Sequence, residues 1–382
     1  MSAPSARQPA VLVCEDGRAF RGQAYGHRGV ALGEAVFTTG MTGYQETLTD
    51  PSFHRQIVVM TAPHVGNTGW NDEDDESDRI WAAGYVVRDP ARIASNHRSR
   101  RGLEDELVAQ RVVGIAGVDT RALTRHLRER GTMRAGIAST DSPDLDDLLR
   151  QVRAQPPMTG ADLAPEVSAR QAYVVPAAGG RPRFRVAALD LGIKAASARM
   201  LAAAGCEVRV VPVTGGPEEL LAGRPDGILV SNGPGDPSAA DHAVRAVRAA
   251  LASGIPVLGI CLGHQVLARA LGLGTHKLGY GHRGVNQPVK DLATDRVAIT
   301  SHNHGFAVTW PGGLDQSVGT PYGRVAVSHV ALNDGVVEGL RCADVPAISV
   351  QHHPEAAPGP HDATGVFGEL ELLMARRRDA AA

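Results

Sequence analysis

The sequence predicts an α/β protein with two domains. Three observations lead to this prediction. The chain has 382 residues, more than a single hydrophobic core usually serves. Short strand-like runs dominate the first half, whereas strands and helices alternate in the second half. Between the halves, over residues 151–184, Pro, Gly and Ala replace the periodic pattern. We therefore expect a mixed α/β, β-rich domain over residues 1–150, a linker over residues 151–184, and a domain on a doubly wound, mostly parallel sheet over residues 185–382.

Composition and charge exclude several classes of protein. The 39 Lys and Arg residues nearly balance the 41 Asp and Glu residues, so no strong field for nucleic acid or a membrane surface is expected. No apolar run approaches the ~20 residues of a membrane helix, and the N-terminus lacks the apolar core of a signal peptide. The four cysteines are scattered without a CxxC pair, which favours free thiols. The sequence predicts a cytoplasmic protein without nucleic-acid or membrane partners.

The first half combines strand-like and helical patterns. Gly, Asp-Gly and Pro separate the strand-like runs "AVLVCEDGRAFRG", "GEAVFTTG", "RQIVVMTAPHVGN" and "AGYVVRDP". Helices are predicted at "LEDELVAQR" and "DTRALTRHLRERG". In the second helix, Asp119 or Thr120 is the N-cap and Gly131 is the stop signal. A further short helix is predicted within "DSPDLDDLLRQVRAQPPMTG", which starts at Asp141.

The second half alternates strands with helices, a pattern typical of a parallel sheet covered on both faces. The predicted strands are "RVAALDLG", "CEVRVVP", "DGILVSNGPGDP", "IPVLGI" and "VPAISVQ". The predicted helices are "KAASARMLAAAG", "HAVRAVRAALASG" and "LGHQVLARALG". Ligands of such sheets bind at the carboxyl ends of the strands, where "SNGPGDP" and Cys261 both lie.

Cys261 lies between a predicted strand and a predicted helix, within the pattern Gly259-Ile-Cys-Leu-Gly263. This is the form of a nucleophile elbow with sulfur in place of oxygen, in which small neighbours let a strained turn close. The amino end of the following helix favours the thiolate, and the N–H of Leu262 is placed to stabilise an oxyanion. A buried structural cysteine is the alternative.

A proton shuttle for this cysteine is available at "QHHPE". His353 and Glu355 follow a predicted strand and are two residues apart, so in an extended segment they project to one side. The carboxylate can then orient the imidazole that serves Cys261. The order Cys, His, acid argues against an α/β-hydrolase, in which the acid precedes the histidine. The Gly-rich turn "SNGPGDP" offers backbone N–H groups for an oxyanion, although an ordinary loop would look the same.

Together, "SNGPGDP", "GICLGHQ" and "QHHPE" resemble the class I, triad-type glutamine amidotransferase domain. The resemblance implies hydrolysis of glutamine to glutamate and ammonia by a catalytic triad. It implies an oxyanion hole and contacts with the bound glutamine. The triad would consist of Cys261, His353 and Glu355. The oxyanion hole would be formed by Leu262 and Gly235, and the first glutamine contacts by Gln265 and Gly233.

Motifs across nearly the whole chain resemble the small subunits of glutamine-hydrolysing carbamoyl phosphate synthases. They are "GHRGVNQPVKDL" and "SHNHGFAV", with "GEAVFTTGMTGYQETLTDPSF", "GNTGWNDEDDES", "VRDPARIASNHR" and "GVDTRALTRHLRERG" in the first half. This resemblance implies that Asn303, Gly305 and Phe306 hold the glutamine, with Ser52 reaching in from the first domain. His302 and His352 depart from the Gln and Tyr common in the family.

The same resemblance implies a ligase that acts with a large synthetase subunit, as a heterodimer or higher oligomer. That partner would take ammonia through a tunnel and use bicarbonate and ATP with Mg²⁺ to make carbamoyl phosphate for arginine and pyrimidine synthesis. This chain has no phosphate-loop signature: "GLGTHKLG" lacks the required G-x-x-x-x-G-K-[ST] form and is interpreted as a loop after a helix. No cofactor is expected in this chain.

Other interpretations of the same residues exist. His302, His304, His352 and His353 have spacings that can bind zinc, but the triad uses His353, so no metal is predicted. The acidic run at residues 71–78 indicates a solvated loop or, with weaker support, a magnesium site. At the level of the whole protein, the rivals are a glutaminase subunit of another synthase and a catalytically silent regulatory subunit.

Overall fold

A computed structural model of the chain describes residues 8–140 and 143–381. Residues 1–7, where the predicted first domain begins, lie outside this range, as do residues 141–142, where the segment of the predicted short helix begins. The chain divides into two compact units, Met1–Met158 and Thr159–Ala382. No helix among the described residues is both long enough and apolar enough to cross a bilayer.

The first unit contains a closed β-barrel with helices. Its strands are β1 (Pro9–Cys14), β2 (Ala19–Gly26), β3 (Gly29–Thr38), β4 (Gln56–Met60), β5 (His64–Val65), β6 (Gly84–Val86), β7 (Asp89–Pro90), β8 (Val113–Ala116) and β9 (Met133–Ser139). Its helices are α1 (Tyr44–Thr49), α2 (Leu103–Ala109), α3 (Thr120–Arg130) and α4 (Leu145–Ala154). Within the described part of the unit, the barrel order is β1-β2-β8-β6-β4-β3-β9, and β5 pairs separately with β7.

Local sequence explains several of these elements. The run over residues 10–22 is a hairpin, because Gly17 at φ 90° turns the chain and its N–H donates to the Cys14 carbonyl. Helix α3 begins after Asp119, whose carboxylate accepts from the N–H of Ala122, which decides between the two predicted caps. The helix ends at Gly131, as predicted. The sequence interpretation missed α1, β8 and β9.

The second unit contains a large mixed sheet covered by helices. Its helices are α5 (Ala164–Val167), α6 (Ala195–Ala203), α7 (Gly216–Leu221), α8 (Asp241–Ala252), α9 (Leu262–Ala270) and α10 (Gly365–Ala381). Its strands are β10 (Tyr173–Val175), β11 (Phe184–Asp190), β12 (Cys206–Pro212), β13 (Gly227–Val230), β14 (Val257–Ile260), β15 (Gly274–Asp291), β16 (Val297–Thr309), β17 (Val318–Thr320), β18 (Gly323–Ala331), β19 (Val337–Cys342) and β20 (Ala347–Val350). Helix α5 and strand β10 fall within the segment that we expected to be a linker.

The sheet order is β10-β12-β11-β13-β14-β20-β19-β18-β15-β16, with β17 beside β18. Strands β12, β11, β13, β14 and β20 are parallel, and the strands on either side of them are antiparallel. The predicted α/β class is confirmed, and the antiparallel extension is an addition that the sequence did not indicate. The interpretation of residues 272–279 as a loop is wrong from Gly274 onward, where β15 begins.

Both faces of the parallel region are buried. Along β11, Ala187 and Leu189 pack in a cluster with residues of α8 and α9, whereas Val186 and Ala188 pack in a cluster with residues of α6 and α10. This alternation follows from the two-residue repeat of a strand, and it explains why the central parallel strands β13 and β14 are apolar along their whole length. The carboxyl ends of β11, β13, β14 and β20 therefore meet at one edge.

Candidate active site

Cys261 lies on a sharp turn between β14 and α9, with φ 53° and ψ −105°. A non-glycine residue at this φ is strained, and such strain is found at functional sites. The turn is held by three backbone bonds: Cys261 N–H donates to the Val350 carbonyl, and its own carbonyl accepts from His264 and Gln265. The buried thiol donates to the Asn303 carbonyl at 3.6 Å. The sequence thus places a sulfur at the N-terminus of a helix.

The two glycines that flank Cys261 allow close packing. A Cβ on Gly259 would lie 2.6 Å from the Gly263 carbonyl oxygen. A Cβ on Gly263 would lie 2.0 Å from the Val230 carbonyl oxygen at the end of β13. Because backbone oxygens cannot move aside cheaply, α9 can approach β14 and β13 this closely only if both positions lack a side chain.

His353 and Glu355 follow β20 and are buried. Nδ1 of His353 lies 2.7 Å from Oε1 of Glu355. Among the described residues, Nε2 of His353 has no partner within normal hydrogen-bond geometry. The His353 N–H donates to the Ser301 carbonyl, which ties this segment to β16. The structure therefore brings together the imidazole and carboxylate that the sequence paired.

A third ionic group, which the sequence analysis missed, completes this arrangement. Nζ of Lys194 lies 3.1 Å from Oε1 of Glu355, and both side chains are buried. The Lys194 N–H donates to Oδ1 of Asn232, and Nδ2 of Asn232 donates to the Gly192 carbonyl. These bonds join the segments that follow β11 and β13, and they hold Lys194 at the N-cap of α6. The available signal was a lysine four residues after the end of a parallel strand, in "LDLGIKAAS".

The charges of these groups act on one another. Burial by itself raises the pKa of Glu355, but Lys194 and His353 outweigh this effect and hold the pKa below its ordinary value. Burial by itself lowers the pKa of His353, but Glu355 and then Cys261 outweigh this effect and raise the pKa. The site therefore favours a carboxylate beside an imidazolium, which can donate a proton through Nε2.

The turn after β13 carries Gly233 and Gly235. A Cβ on Gly233 would lie 1.9 Å from the Leu191 carbonyl oxygen, and one on Gly235, at φ 99°, would lie 2.6 Å from the Ala161 carbonyl oxygen. In the part of the chain that the structure describes, the N–H groups of Gly235 and Leu262 have no hydrogen-bond partner. Since β13 neighbours β14 in the sheet, this turn borders the nucleophile elbow.

The predicted glutamine contacts Gln265, Asn303, Gly305 and Phe306 lie on α9 and β16. Nε2 of Gln265 donates to the Phe306 carbonyl at 2.8 Å and to Oε1 of Gln351 at 2.9 Å. Gln265 thus connects α9 to β16, which the sequence did not indicate. The thiol of Cys261 donates to the Asn303 carbonyl. These contacts bring together Cys261, Gln265, Asn303 and Phe306, four of the predicted site residues.

Ser52 belongs to the first unit, in a short 3-10 turn over Pro51–Phe53, and its N–H donates to Oδ1 of Asp50. Its contact with glutamine stays a prediction.

In the acidic run, Asp72, Glu73 and Asp74 form ion pairs with Arg98 or Arg101.

The four histidines with zinc-compatible spacings have different partners in the structure. His302 and His304 lie with His282 and Glu338, whereas His353 pairs with Glu355. The ring of His352 lies beside those of His302 and His329, with centroids 6.1 and 5.8 Å away.

Each unit of the chain matches a known protein family. A family model described as carbamoyl-phosphate synthase small chain, CPSase domain, matches residues 12–137, and one described as glutamine amidotransferase class-I matches residues 187–372. The carbamoyl phosphate synthase small chain of Streptomyces coelicolor is 62% identical over 373 residues, covering 97% of each chain. That of Mycobacterium tuberculosis strain H37Rv is 57% identical over 371 residues, covering 96% of this chain and 98% of its own.

Proposed function

Because this chain belongs to the family of carbamoyl phosphate synthase small chains and carries a class I glutamine amidotransferase domain, we propose that it hydrolyses glutamine with Cys261, His353 and Glu355. One observation carries this proposal. A strained, buried cysteine at a helix N-terminus lies beside a histidine whose pKa is raised by a carboxylate 2.7 Å away and by the cysteine itself.

In the first half of the reaction, the Cys261 thiolate attacks the amide carbon of glutamine. The carbonyl oxygen becomes an oxyanion, which the N–H groups of Leu262 and Gly235 stabilise. His353, as the imidazolium, donates its Nε2 proton to the departing nitrogen as the C–N bond breaks, which releases ammonia and leaves a glutamyl thioester.

In the second half, neutral His353 removes a proton from water, and the hydroxide attacks the thioester. The C–S bond breaks, glutamate leaves, and Cys261 returns to the thiolate beside imidazolium. Glu355 orients the imidazole and stabilises its charged form, and Lys194 keeps Glu355 anionic. The glutamine is held by Gly233, Gln265, Asn303, Gly305 and Phe306.

We further propose that the ammonia passes to a carbamoyl phosphate synthase large subunit, with which this chain forms a heterodimer or higher oligomer in the cytoplasm. Free ammonia is mostly protonated near neutral pH, and ammonium is not a nucleophile, so direct transfer preserves the reactive species. The large subunit would use bicarbonate and ATP with Mg²⁺, and the product would serve arginine and pyrimidine synthesis. The glutamine hydrolysis on this chain would need no cofactor. The assembly is tested by purifying the tagged chain from cells: a large subunit with ATP-dependent synthetase activity should co-purify with it.

The decisive variant is Cys261→Ser. In the assembled complex, it should abolish glutamate release and glutamine-dependent synthesis, because no thioester forms, while synthesis from added ammonia continues. Cys342→Ser is the control, because Cys342 is another free thiol of the same unit. Near-normal glutamine hydrolysis by Cys261→Ser would overturn the assignment. Loss of synthesis from ammonia as well would indicate a damaged complex. In that case, labelling of Cys261 in the wild-type complex by a glutamine-analogue alkylating agent, with loss of glutamate release, tests the nucleophile without a variant.

A further inference from the structure

Four buried side chains that the glutamine chemistry does not use converge in the second unit. They are His282 on β15, His302 and His304 on β16, and Glu338 on β19. One ligand atom from each lies within 4.8 Å of all the others. We propose that these four residues bind one divalent transition-metal ion, with Zn²⁺ as the best fit, in a structural site. This inference does not depend on the proposed glutaminase activity.

The spacing of the four groups fits a tetrahedral ion. Ligands about 2.0–2.1 Å from a tetrahedral Zn²⁺ are about 3.3–3.4 Å from one another. Nδ1 of His302 lies 3.1 Å from Nε2 of His304. The carboxylate oxygens of Glu338 lie 3.6 Å from Nδ1 of His282 and 3.7 Å from both Nδ1 of His302 and Nε2 of His304. These four distances bracket the expected value, and the remaining pairs lie within 4.8 Å.

The outer contacts of the histidines leave a lone pair on each inner nitrogen. Nδ1 of His304 donates to the Phe306 carbonyl at 2.8 Å, so its Nε2 is unprotonated in the neutral ring. Nε2 of His282 lies 2.8 Å from Oδ2 of Asp334 and donates to it, so in the neutral ring its Nδ1 faces the cluster as an acceptor. Carboxylates and carbonyls that bind the outer nitrogen are the usual second shell of a metal-binding histidine.

The outer nitrogen of His302 contacts Thr300. Nε2 of His302 lies 2.8 Å from Oγ1 of Thr300, and that hydroxyl already donates its proton to the Gln287 carbonyl. With the Thr300 proton directed at the Gln287 carbonyl, Nε2 of His302 is the donor, which leaves Nδ1 as a lone pair facing the lone pair of His304 at 3.1 Å. Two facing lone pairs repel each other, and a bound cation removes this repulsion.

Glu338 supplies the charge for such a cation. Its side chain is fully buried, and among the described residues neither carboxylate oxygen accepts a hydrogen bond. A buried carboxylate without hydrogen bonds is costly. Coordination to a metal would satisfy one oxygen and neutralise the charge. Three imidazoles and one carboxylate are a donor set that suits Zn²⁺.

At this position the ion would stabilise the contacts among three strands. It would link β15, β16 and β19, and the Glu338 carbonyl accepts from the N–H of Gln351, two residues before His353. His304 directly follows Asn303, whose carbonyl accepts from Cys261. Since four protein ligands fill a tetrahedral site, no position is left for a reactive water, which is typical of structural zinc.

Metal analysis of the full-length chain tests the proposal. After exposure to Zn²⁺ and removal of excess metal by gel filtration, wild type should retain about one ion per chain, and Glu338→Gln and His282→Asn should retain about one tenth of that or less. His276→Asn, which alters an exposed histidine of the same strand, should retain the wild-type amount. Co²⁺ should give the intense visible absorption of tetrahedral coordination with wild type but not with Glu338→Gln.

A second measurement does not depend on the folding of variants. Stripping the wild-type chain with a chelator should lower its melting temperature, and adding back Zn²⁺ should restore it, because an ion that binds the folded state stabilises it. Less than about one tenth of an ion per wild-type chain after Zn²⁺ loading, together with an unchanged melting temperature on Zn²⁺ addition, would overturn the proposal. Equal retention by wild type and both ligand variants would overturn it as well.

Discussion

Nζ of Lys194 lies 3.1 Å from Oε1 of Glu355, and both side chains are almost entirely buried. Lys194 is the N-cap of α6 and follows β11, whereas Glu355 follows β20, so the pair joins segments 161 residues apart in the sequence. A buried carboxylate needs such a partner to remain ionised. The charge of Glu355 in turn raises the pKa of His353. The protonation of His353 therefore depends on the sheet, which brings Lys194 next to Glu355.

Replacing Lys194 by Met should destabilise the protein by about 3–5 kcal/mol, because a buried anion loses its partner. Glu355 contributes stability above the pKa of the unfolded state and loses it as pH falls through the lowered folded pKa. Without Lys194 that pKa is no longer held as low, so the acid-side loss of stability should be smaller and should end at a higher pH. Urea unfolding measured across pH checks both effects.

Lys290→Met is the matched control for that prediction. Lys290 also pairs with one carboxylate, that of Asp295 at 2.5 Å, but Asp295 is largely exposed. Exposed pairs contribute about 0–1 kcal/mol. Equal losses of unfolding free energy in the two variants would contradict the view that the Lys194 pair is a buried, coupled one.

Glu355→Gln should lower the pKa of His353, because the neutral amide no longer stabilises the imidazolium. The proton given to the leaving ammonia requires protonated His353, so acylation declines as pH rises through this pKa. In the variant, the alkaline decline of glutamine hydrolysis should move to lower pH, and the maximal rate should fall roughly 10²-fold. Rates of glutamate release measured from acidic to alkaline pH check the shift.

Glu371→Gln provides the comparison for the pH profile. Glu371 pairs with Arg183 at 3.2 Å, an interaction outside the triad. Its removal should leave the shape of the profile unchanged. If Glu355→Gln also retained the wild-type profile while remaining folded, Glu355 would not set the protonation of His353.

Gly263→Ala should disrupt the elbow. The added Cβ would lie 2.0 Å from the Val230 carbonyl oxygen and 3.0 Å from that of Ser231. Since neither oxygen can withdraw without moving β13, we expect a loss of about 1–3 kcal/mol in unfolding free energy. Glutamine hydrolysis should fall more steeply, because the sulfur and the Leu262 N–H move with the turn. Thermal unfolding and glutamate release measure the two effects.

Gly368→Ala tests whether any glycine replacement has this effect. Gly368 is exposed in α10, and a Cβ added there would meet open space. Alanine at this position should be neutral or stabilise the protein by about 0.5–1 kcal/mol, since it favours a helix over the unfolded chain. A Gly263→Ala variant as stable and active as Gly368→Ala would contradict the packing argument.

The sequence by itself determined the alternating strands and helices of the second unit, the elbow at Cys261, and the pairing of His353 with Glu355. Each depends on residues close together in the chain: a two-residue repeat, a glycine on either side of a nucleophile, two side chains two positions apart. The cap at Asp119 and the stop at Gly131 are local in the same sense.

What only the tertiary structure decided depends on residues far apart in sequence. The barrel closes by pairing β1 with β9, and the antiparallel strands β15–β19 continue the sheet beyond β20. Lys194 meets Glu355, and His282 and Glu338 join His302 and His304, because strands distant in the chain come together in the sheet. No local sequence pattern encodes these long-range contacts, since strand register and burial depend on the whole core. The contacts decide which charges are paired and which lone pairs face one another.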